Sequence, residues 1–257
     1  MNLFFQYGVF KAFPPGVGFG MFSPTHLGVL ALLAAIIFVL VRAYRRGDDA
    51  RQRRIRNAIA GCIIGLEVGK DILLLFTHQW VWTSLPLNMC SWAMLFVAWD
   101  AWGSKKLTRE WLYALGLPGA FFALLTPDWV TSPILNIFVW QSFSIHMFIV
   151  AYVVARLATH QIVPDFRNLW LPALYLVVVV PPTIWVNHLI GANFFFLSTP
   201  VPGSPLAPIS AIFGSWYLVG LFLMLLVFWF VMYLPWWLVG RRRQAMAVQV
   251  VSLSVEN

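Results

Sequence analysis

The stretch WQSFSIHMFIVAYVVAR (residues 140–156) is almost entirely apolar, and its only charged residue is Arg156 at the end. It forms most of a segment, 136–156, of about 20 residues, the length that an α-helix needs to cross roughly 30 Å of hydrocarbon. Comparable apolar segments occur along the whole chain, at 24–44, 57–79, 86–103, 111–126, 136–156, 169–190 and 211–239. The sequence therefore predicts an all-α, polytopic membrane protein with seven transmembrane helices.

The composition excludes an ordinary soluble domain. Of the 257 residues, 61% are hydrophobic and only 10% are charged, and the mean hydropathy is +0.80. Such values are typical of proteins that reside in a bilayer. We expect residues 1–243 to form the transmembrane domain and residues 244–257 to form a disordered cytoplasmic tail.

The positive charge is distributed as in a membrane protein. The net charge is +8, but nearly all of the 17 Lys and Arg residues follow the first, third, fifth and seventh predicted helices. By the positive-inside rule these loops are cytoplasmic, so the amino terminus is predicted to lie outside and the carboxyl terminus in the cytoplasm. Because the basic residues are explained by topology, we predict no nucleic-acid partner.

The second predicted helix carries charged residues near the middle of the membrane. Glu67, Lys70 and Asp71 share one face by their i, i+3 and i+4 spacing. An ionised side chain at this depth costs about 2.5–3.5 kcal/mol, so this face must contact protein or water instead of lipid. Two interpretations are open: a structural ion pair between helices, or a functional site.

The fifth predicted helix places His146 near mid-membrane, with Ser142 one turn before it. A single histidine in an apolar helix is more often a packing residue than a catalytic base. Cys90, in LPLNMCSW (85–92), lies about one turn inside the third predicted helix, where the helix amino terminus and a nearby base would favour a thiolate. We expect His146 to lie a turn or two deeper than Cys90.

Further polar residues are predicted to form a ring at the outer end of the bundle. His26 begins the first helix, and Asn187, His188 and Asn193 lie near the outer end of the sixth. Histidines can ligate zinc, but no close H-x-x-x-H spacing is found, so no metal is predicted. Hydrogen bonding to loop backbone is the favoured role for this ring.

Seven motifs occur in order along the chain: FSPTHLGVL (22–30), LEVGK (66–70), LPLNMC (85–90), TPD (126–128), SIH (144–146), NHLIGANFFFL (187–197) and MYLP (232–235). Together they resemble the YwaF-type integral membrane proteins, bacterial relatives of a mammalian ether-phospholipid acyltransferase. The resemblance implies a multi-pass protein of the bacterial plasma membrane. It also implies that Cys90 carries an acyl group as a thioester and that His146 activates the thiol.

The favoured interpretation is a cysteine-dependent acyltransferase that moves a fatty acyl chain from a phospholipid to a lipid or glycolipid acceptor in the outer half of the bilayer. Backbone N–H groups, Asn88 or Asn193 would stabilise the oxyanion. The residues of the charged face would orient His146 or bind a headgroup. No cofactor is predicted, because the chain contains neither a phosphate-binding loop nor a dinucleotide fingerprint.

Three alternatives fit the sequence as well. The first is a proton-coupled transporter or permease that uses Glu67, Lys70 and Asp71, although no internal repeat of the kind found in many transporters is present. The second is a lipid hydrolase with the same cysteine and histidine, in which water is the acceptor. The third is a membrane protein without catalytic activity. The sequence does not predict the oligomeric state.

Overall fold

The computed structural model describes the backbone of residues 3–255 and the side chains of residues 3–239. In this part of the chain all regular structure is helical, in agreement with the predicted all-α class. The main helices are α1 (Pro24–Arg45), α2 (Asp49–Phe76), α3 (Met89–Gly103), α4 (Lys106–Trp111), α5 (Leu117–Leu125), α6 (Ile137–Ala158), α7 (Trp170–Ile190), α8 (Leu206–Phe213) and α9 (Tyr217–Val255). A five-residue π-helix, Leu112–Gly116, joins α4 to α5. The predicted division at residue 243 stays a prediction, and the side chains of 244–257 lie outside the described residues.

Local sequence signals set several of the helix ends. Ser23, Asp48 and Asn136 are the N-caps of α1, α2 and α6, and each side chain accepts a hydrogen bond from a backbone N–H in the first turn. Gly191 ends α7 in the left-handed conformation, with φ of 65°, which glycine adopts without steric cost.

The helix that contains the opening stretch, α6, lies at the centre of the bundle. Most of its side chains are buried, and Phe143, Ile149 and Val153 have no exposed surface. It contacts α1, α2, α3 and α5. By contrast, α7 exposes large apolar side chains, such as Val177 at 70% and Trp185 at 66%. A helix that is apolar all round must be covered by protein or by lipid.

Four helical segments in the described part of the chain are long and apolar enough to cross a membrane: Pro24–Arg45, Ile137–Ala158, Phe166–Ile190 and Leu206–Val239. The other three predicted spans are helical but differ in physical character. The 28-residue α2 carries several charges, α3 has only 15 residues, and the predicted span 111–126 contains the π-helix. At 1.5 Å per residue, α3 is about 22 Å long, shorter than the hydrocarbon layer.

One end of the bundle is stabilised by polar side chains of α3, α4 and α6. Asp100 of α3 pairs with Arg156 of α6 and accepts hydrogen bonds from Thr108 at 2.6 Å and Tyr152 at 2.7 Å. Both charged side chains are buried, with exposures of 5% for Arg156 and 0% for Asp100. We call this end, where the α1–α2, α3–α4 and α6–α7 connections meet, the basic end.

Replacing Arg156 by methionine is expected to lower the free energy of unfolding by about 3–5 kcal/mol, because it leaves the Asp100 carboxylate buried without its cation. Thermal unfolding in detergent measures the effect. Arg167→Met, an exposed arginine at the same end, is the matched control and should change stability little. Adding Asp100→Asn to Arg156→Met should restore part of the loss. Equal stability of Arg156→Met and the wild type would contradict this role.

At the opposite end, the amino-terminal segment covers the bundle. The Gln79 side chain donates to the carbonyl of Phe5 at 2.9 Å and accepts from the N–H of Tyr7 at 2.7 Å. Gly18 packs against the 126–136 loop so closely that a Cβ atom on it would lie 2.4 Å from the carbonyl oxygen of Val130. Any side chain at position 18 would therefore displace this segment or the 126–136 loop.

Candidate active site

The structure brings Cys90 and His146 into direct contact. Cys90 Sγ lies 2.9 Å from His146 Nε2. The expected depth difference between them is therefore wrong. Cys90 is the second residue of α3, which begins at Met89, three residues later than predicted, and it meets His146 about 13 Å along α6 by helical rise.

The hydrogen bonds of the His146 ring fix which nitrogen faces the thiol. Nδ1 lies 2.6 Å from the carbonyl oxygen of Ser142, one turn earlier in α6. A carbonyl oxygen only accepts, so Nδ1 carries the hydrogen in the neutral imidazole. The lone pair of Nε2 is then directed to the Cys90 thiol. This is the tautomer that a general base requires.

Cys90 is the second residue of α3, where backbone N–H groups have no partner within the helix. The carbonyl of Asn88 accepts from the N–H groups of Ser91 at 2.9 Å and Trp92 at 3.2 Å. The Asn88 side chain is exposed and makes no capping hydrogen bond. The N–H groups of Met89 and Cys90 make no hydrogen bond to any described residue, so they remain available beside the sulfur.

The charged face of α2 is connected to this pair through α6. Lys70 Nζ lies 2.6 Å from Glu67 Oε1 and 3.4 Å from Asp71 Oδ1. The other carboxylate oxygen of Glu67 accepts from the Gln141 side chain at 3.0 Å. Gln141 precedes Ser142, whose carbonyl holds the His146 ring. Glu67 is therefore connected to the imidazole by two hydrogen bonds: one from the Gln141 side chain to Glu67, and one from His146 to the carbonyl of the next residue, Ser142.

Replacing Lys70 by methionine is expected to destabilise the fold by about 2 kcal/mol, because Glu67 is only 15% exposed and would lose its cation. The double variant Glu67→Gln/Lys70→Met should recover much of this loss. The alkylation rate of Cys90 by iodoacetamide separates the two interpretations of the charged face. An unchanged rate in the double variant indicates a structural pair, whereas a lowered rate indicates that Glu67 positions Gln141 and His146.

The other predicted site residues lie apart from Cys90. His26 accepts from the N–H of Phe22 at 3.1 Å and donates through Nε2 to the carbonyl of Leu124 at 3.0 Å. Its partners are backbone groups of the segment before α1 and of the last turn of α5.

The cluster at the end of α7 holds its own loop. Asn187 exchanges two hydrogen bonds with the backbone of Phe194, and Asn193 bonds to the backbone and side chain of Thr199 and to the N–H of Ser198. His188 is exposed. None of these hydrogen bonds involves Cys90 or His146.

Two residues at the site were not predicted from the sequence. Trp129 stacks on the His146 imidazole, with ring centroids 5.4 Å apart and an angle of 29° between the rings. Asp128 precedes it and is an exposed residue, and partial burial of its carboxyl raises the pKa of that group above its ordinary value. The TPD motif (126–128), which immediately precedes Trp129, is the sequence feature that could have pointed to these two residues.

No group of three or more His, Cys, Asp or Glu residues in the described part of the chain is arranged to hold a metal ion. The contact between Cys90 and His146 offers the chemistry of a thiol with an adjacent imidazole. Both cysteines are free, and only Cys90 has a base beside it.

Comparison with known proteins gives one match. The family model described as the TMEM164 family matches residues 21–233, a range that includes every residue of the site described above. No curated protein and no solved structure matches the chain significantly. Because the family match covers far more than half of the sequence, this chain belongs to the TMEM164 family of membrane proteins.

Proposed function

We propose that the protein is a membrane acyltransferase that moves a fatty acyl chain from a phospholipid to a lipid or glycolipid acceptor through a thioester on Cys90. The observation that carries the proposal is the 2.9 Å contact between Cys90 Sγ and His146 Nε2, with the imidazole held by the Ser142 carbonyl. A nucleophile, a base and a group that orients the base are the elements of covalent acyl transfer.

In the first half-reaction, Cys90 Sγ attacks the ester carbonyl of the donor lipid while Nε2 of His146 accepts the thiol proton. The tetrahedral intermediate collapses, the bond between the carbonyl carbon and the glycerol oxygen breaks, and the imidazolium returns its proton to that oxygen. A lysophospholipid leaves, and the acyl chain remains on Cys90 as a thioester.

In the second half-reaction, the hydroxyl of the acceptor takes the place of the lysophospholipid. His146 removes the hydroxyl proton as the oxygen attacks the thioester carbonyl. The carbon–sulfur bond then breaks, the proton returns to Cys90, and the acylated lipid leaves. If water enters in place of the acceptor, the same residues release a free fatty acid.

The start of α3 supports the oxyanion that forms in both steps. The backbone N–H of Cys90 adjoins the sulfur and has no other partner among the described residues, and the helix amino terminus carries a partial positive charge. The exposed Asn88 amide is a further donor at the mouth of the site. Glu67, Lys70 and Asp71 orient His146 through Gln141, or contact a headgroup at the 36% exposed Asp71 carboxylate.

The membrane setting is part of the proposal. The seven spans are proposed from the apolar segments, and the external amino terminus and cytoplasmic carboxyl terminus from the positive-inside rule, by which the basic end would face the cytoplasm. Cys90 would lie in the outer half of the bilayer. The closer relationship to bacterial YwaF-type proteins, and a location in the bacterial plasma membrane, belong to the same proposal.

Acyl transfer in liposomes tests this function. The purified protein is reconstituted with a phosphatidylcholine that carries deuterated acyl chains and with an unlabelled lysophospholipid, and the lipids are analysed by mass spectrometry. Deuterated chains on the former lysophospholipid support the transferase. Deuterated free fatty acid alone identifies a hydrolase instead. Neither product, from protein that is folded, would contradict both.

The transporter alternative predicts different effects of substitutions at Asp71 and Cys90. Its activity in vesicles would disappear with Asp71→Asn and survive Cys90→Ala, whereas lipid acylation should disappear with Cys90→Ala. Glu67 is hydrogen-bonded to Gln141 of α6, the helix that also carries His146. This connection favours one site that includes the charged face and the thiol–imidazole pair over a separate ion path.

A further inference from the structure

Trp129 is fixed in place beside the proposed catalytic pair. Its carbonyl accepts from the N–H of Ser132 at 3.0 Å, and the next residue, Val130, accepts from the N–H of Gly20. The indole ring is packed between two aromatic rings of α6, stacked on His146 and edge-on to Phe143 at 5.5 Å. The amino-terminal segment and the 126–136 loop therefore hold this side chain rigidly against the imidazole.

The indole N–H of Trp129 is buried and has no hydrogen-bond partner among the described residues. A buried donor without a partner costs about 1–3 kcal/mol. The imidazole on which it stacks offers no acceptor, because Nδ1 and Nε2 are already engaged with Ser142 and Cys90. Elsewhere the fold satisfies indoles directly, since Trp229 donates to the carbonyl of Ala114 at 3.0 Å and Trp236 donates to Tyr113 at 2.9 Å.

Two other indoles, those of Trp92 and Trp111, also have buried N–H groups without partners. Neither ring contacts His146. Trp92 is edge-on to Tyr175, and Trp111 stacks on Phe96 with ring centroids 4.1 Å apart. Of these three tryptophans, Trp129 is the one whose ring contacts His146, the proposed base.

We propose that the indole N–H of Trp129 donates a hydrogen bond to the acyl carbonyl oxygen during attack by Cys90, and so completes the oxyanion hole that the start of α3 begins. This role rests on the proposed acyl transfer. A carbonyl carbon attacked by Cys90 must lie beside both Sγ and the imidazole, and its oxygen gains negative charge in the transition state. A preformed donor in a site with little water stabilises that charge most.

Two reagents that differ in their need for an oxyanion hole test this assignment. Acylation of Cys90 by p-nitrophenyl laurate passes through a tetrahedral oxyanion, whereas alkylation by iodoacetamide displaces iodide and forms no oxyanion. Trp129→Phe keeps the aromatic ring and removes the N–H. It should slow acylation, measured as release of p-nitrophenolate, on the order of 10²-fold, and leave the alkylation rate unchanged.

Trp111→Phe is the matched control, because it removes another buried indole N–H without a partner and should leave both rates unchanged. Equal slowing of both reactions in Trp129→Phe would overturn the proposal, since it would show that the indole only positions His146. Unchanged acylation would overturn it as well. A wild-type protein that is alkylated on Cys90 but never acylated by the ester would instead contradict the proposed function itself.

Discussion

Replacing His146 by glutamine is expected to slow both acylation of Cys90 by p-nitrophenyl laurate and its alkylation by iodoacetamide, by about 10²- to 10⁴-fold. The reason is that Nε2 is the group that accepts the thiol proton, 2.9 Å from the sulfur. Glutamine keeps a polar side chain in α6 but cannot act as a base. The rates are measured on purified protein, by release of p-nitrophenolate and by mass spectrometry of the alkylated protein.

His160→Gln is the control for this change, because His160 is exposed at the basic end. It should react at the wild-type rate with both reagents. If His146→Gln also reacted at the wild-type rate while remaining folded, the thiol would not depend on the imidazole. His146 would then be a packing residue in contact with a cysteine.

Replacing Cys90 by alanine is expected to abolish acyl transfer between lipids, because Cys90 Sγ is the nucleophile in contact with Nε2 of His146. The change is small, so the fold should be retained, and the thermal midpoint should stay close to that of the wild type. Transfer of deuterated acyl chains in liposomes is the measurement. The remaining rate should not exceed that of protein-free liposomes.

Cys62→Ala is the matched control, since it removes the other cysteine, which is exposed on α2. Its transfer rate should equal that of the wild type. Full activity of Cys90→Ala in lipid transfer would contradict a covalent mechanism through this cysteine.

The helical class could be predicted from the sequence, because an apolar segment of about 20 residues in a bilayer satisfies its own backbone hydrogen bonds by forming a helix. The observed bounds of α1 and α7 lie close to the predicted spans. Pro118 predicts a disruption of the fourth span, because it has no N–H to donate to the carbonyl of Ala114, but nothing in LYALG (112–116) indicates that the disruption takes the form of a π-helix. The late start of α3 also escaped prediction, as Pro86 favours a helix beginning at that position.

Part of the candidate site could be predicted from the sequence. Polar residues within apolar helices stand out in the sequence, and this feature identifies His146, Cys90 and Glu67. Trp129 did not stand out, because tryptophan is common at membrane interfaces. Its stacking on His146 depends on how the 126–136 loop packs under the amino-terminal segment, and such loop packing leaves no periodic signal.

The most direct measurement is the mass of the intact protein after purification with native lipids or brief incubation with phospholipid. A thioester on Cys90 predicts an added fatty acyl mass that is removed by neutral hydroxylamine, maps to the peptide containing Cys90, and is missing from Cys90→Ala. An unmodified Cys90 throughout, in a preparation that transfers acyl chains between lipids, would contradict the thioester mechanism.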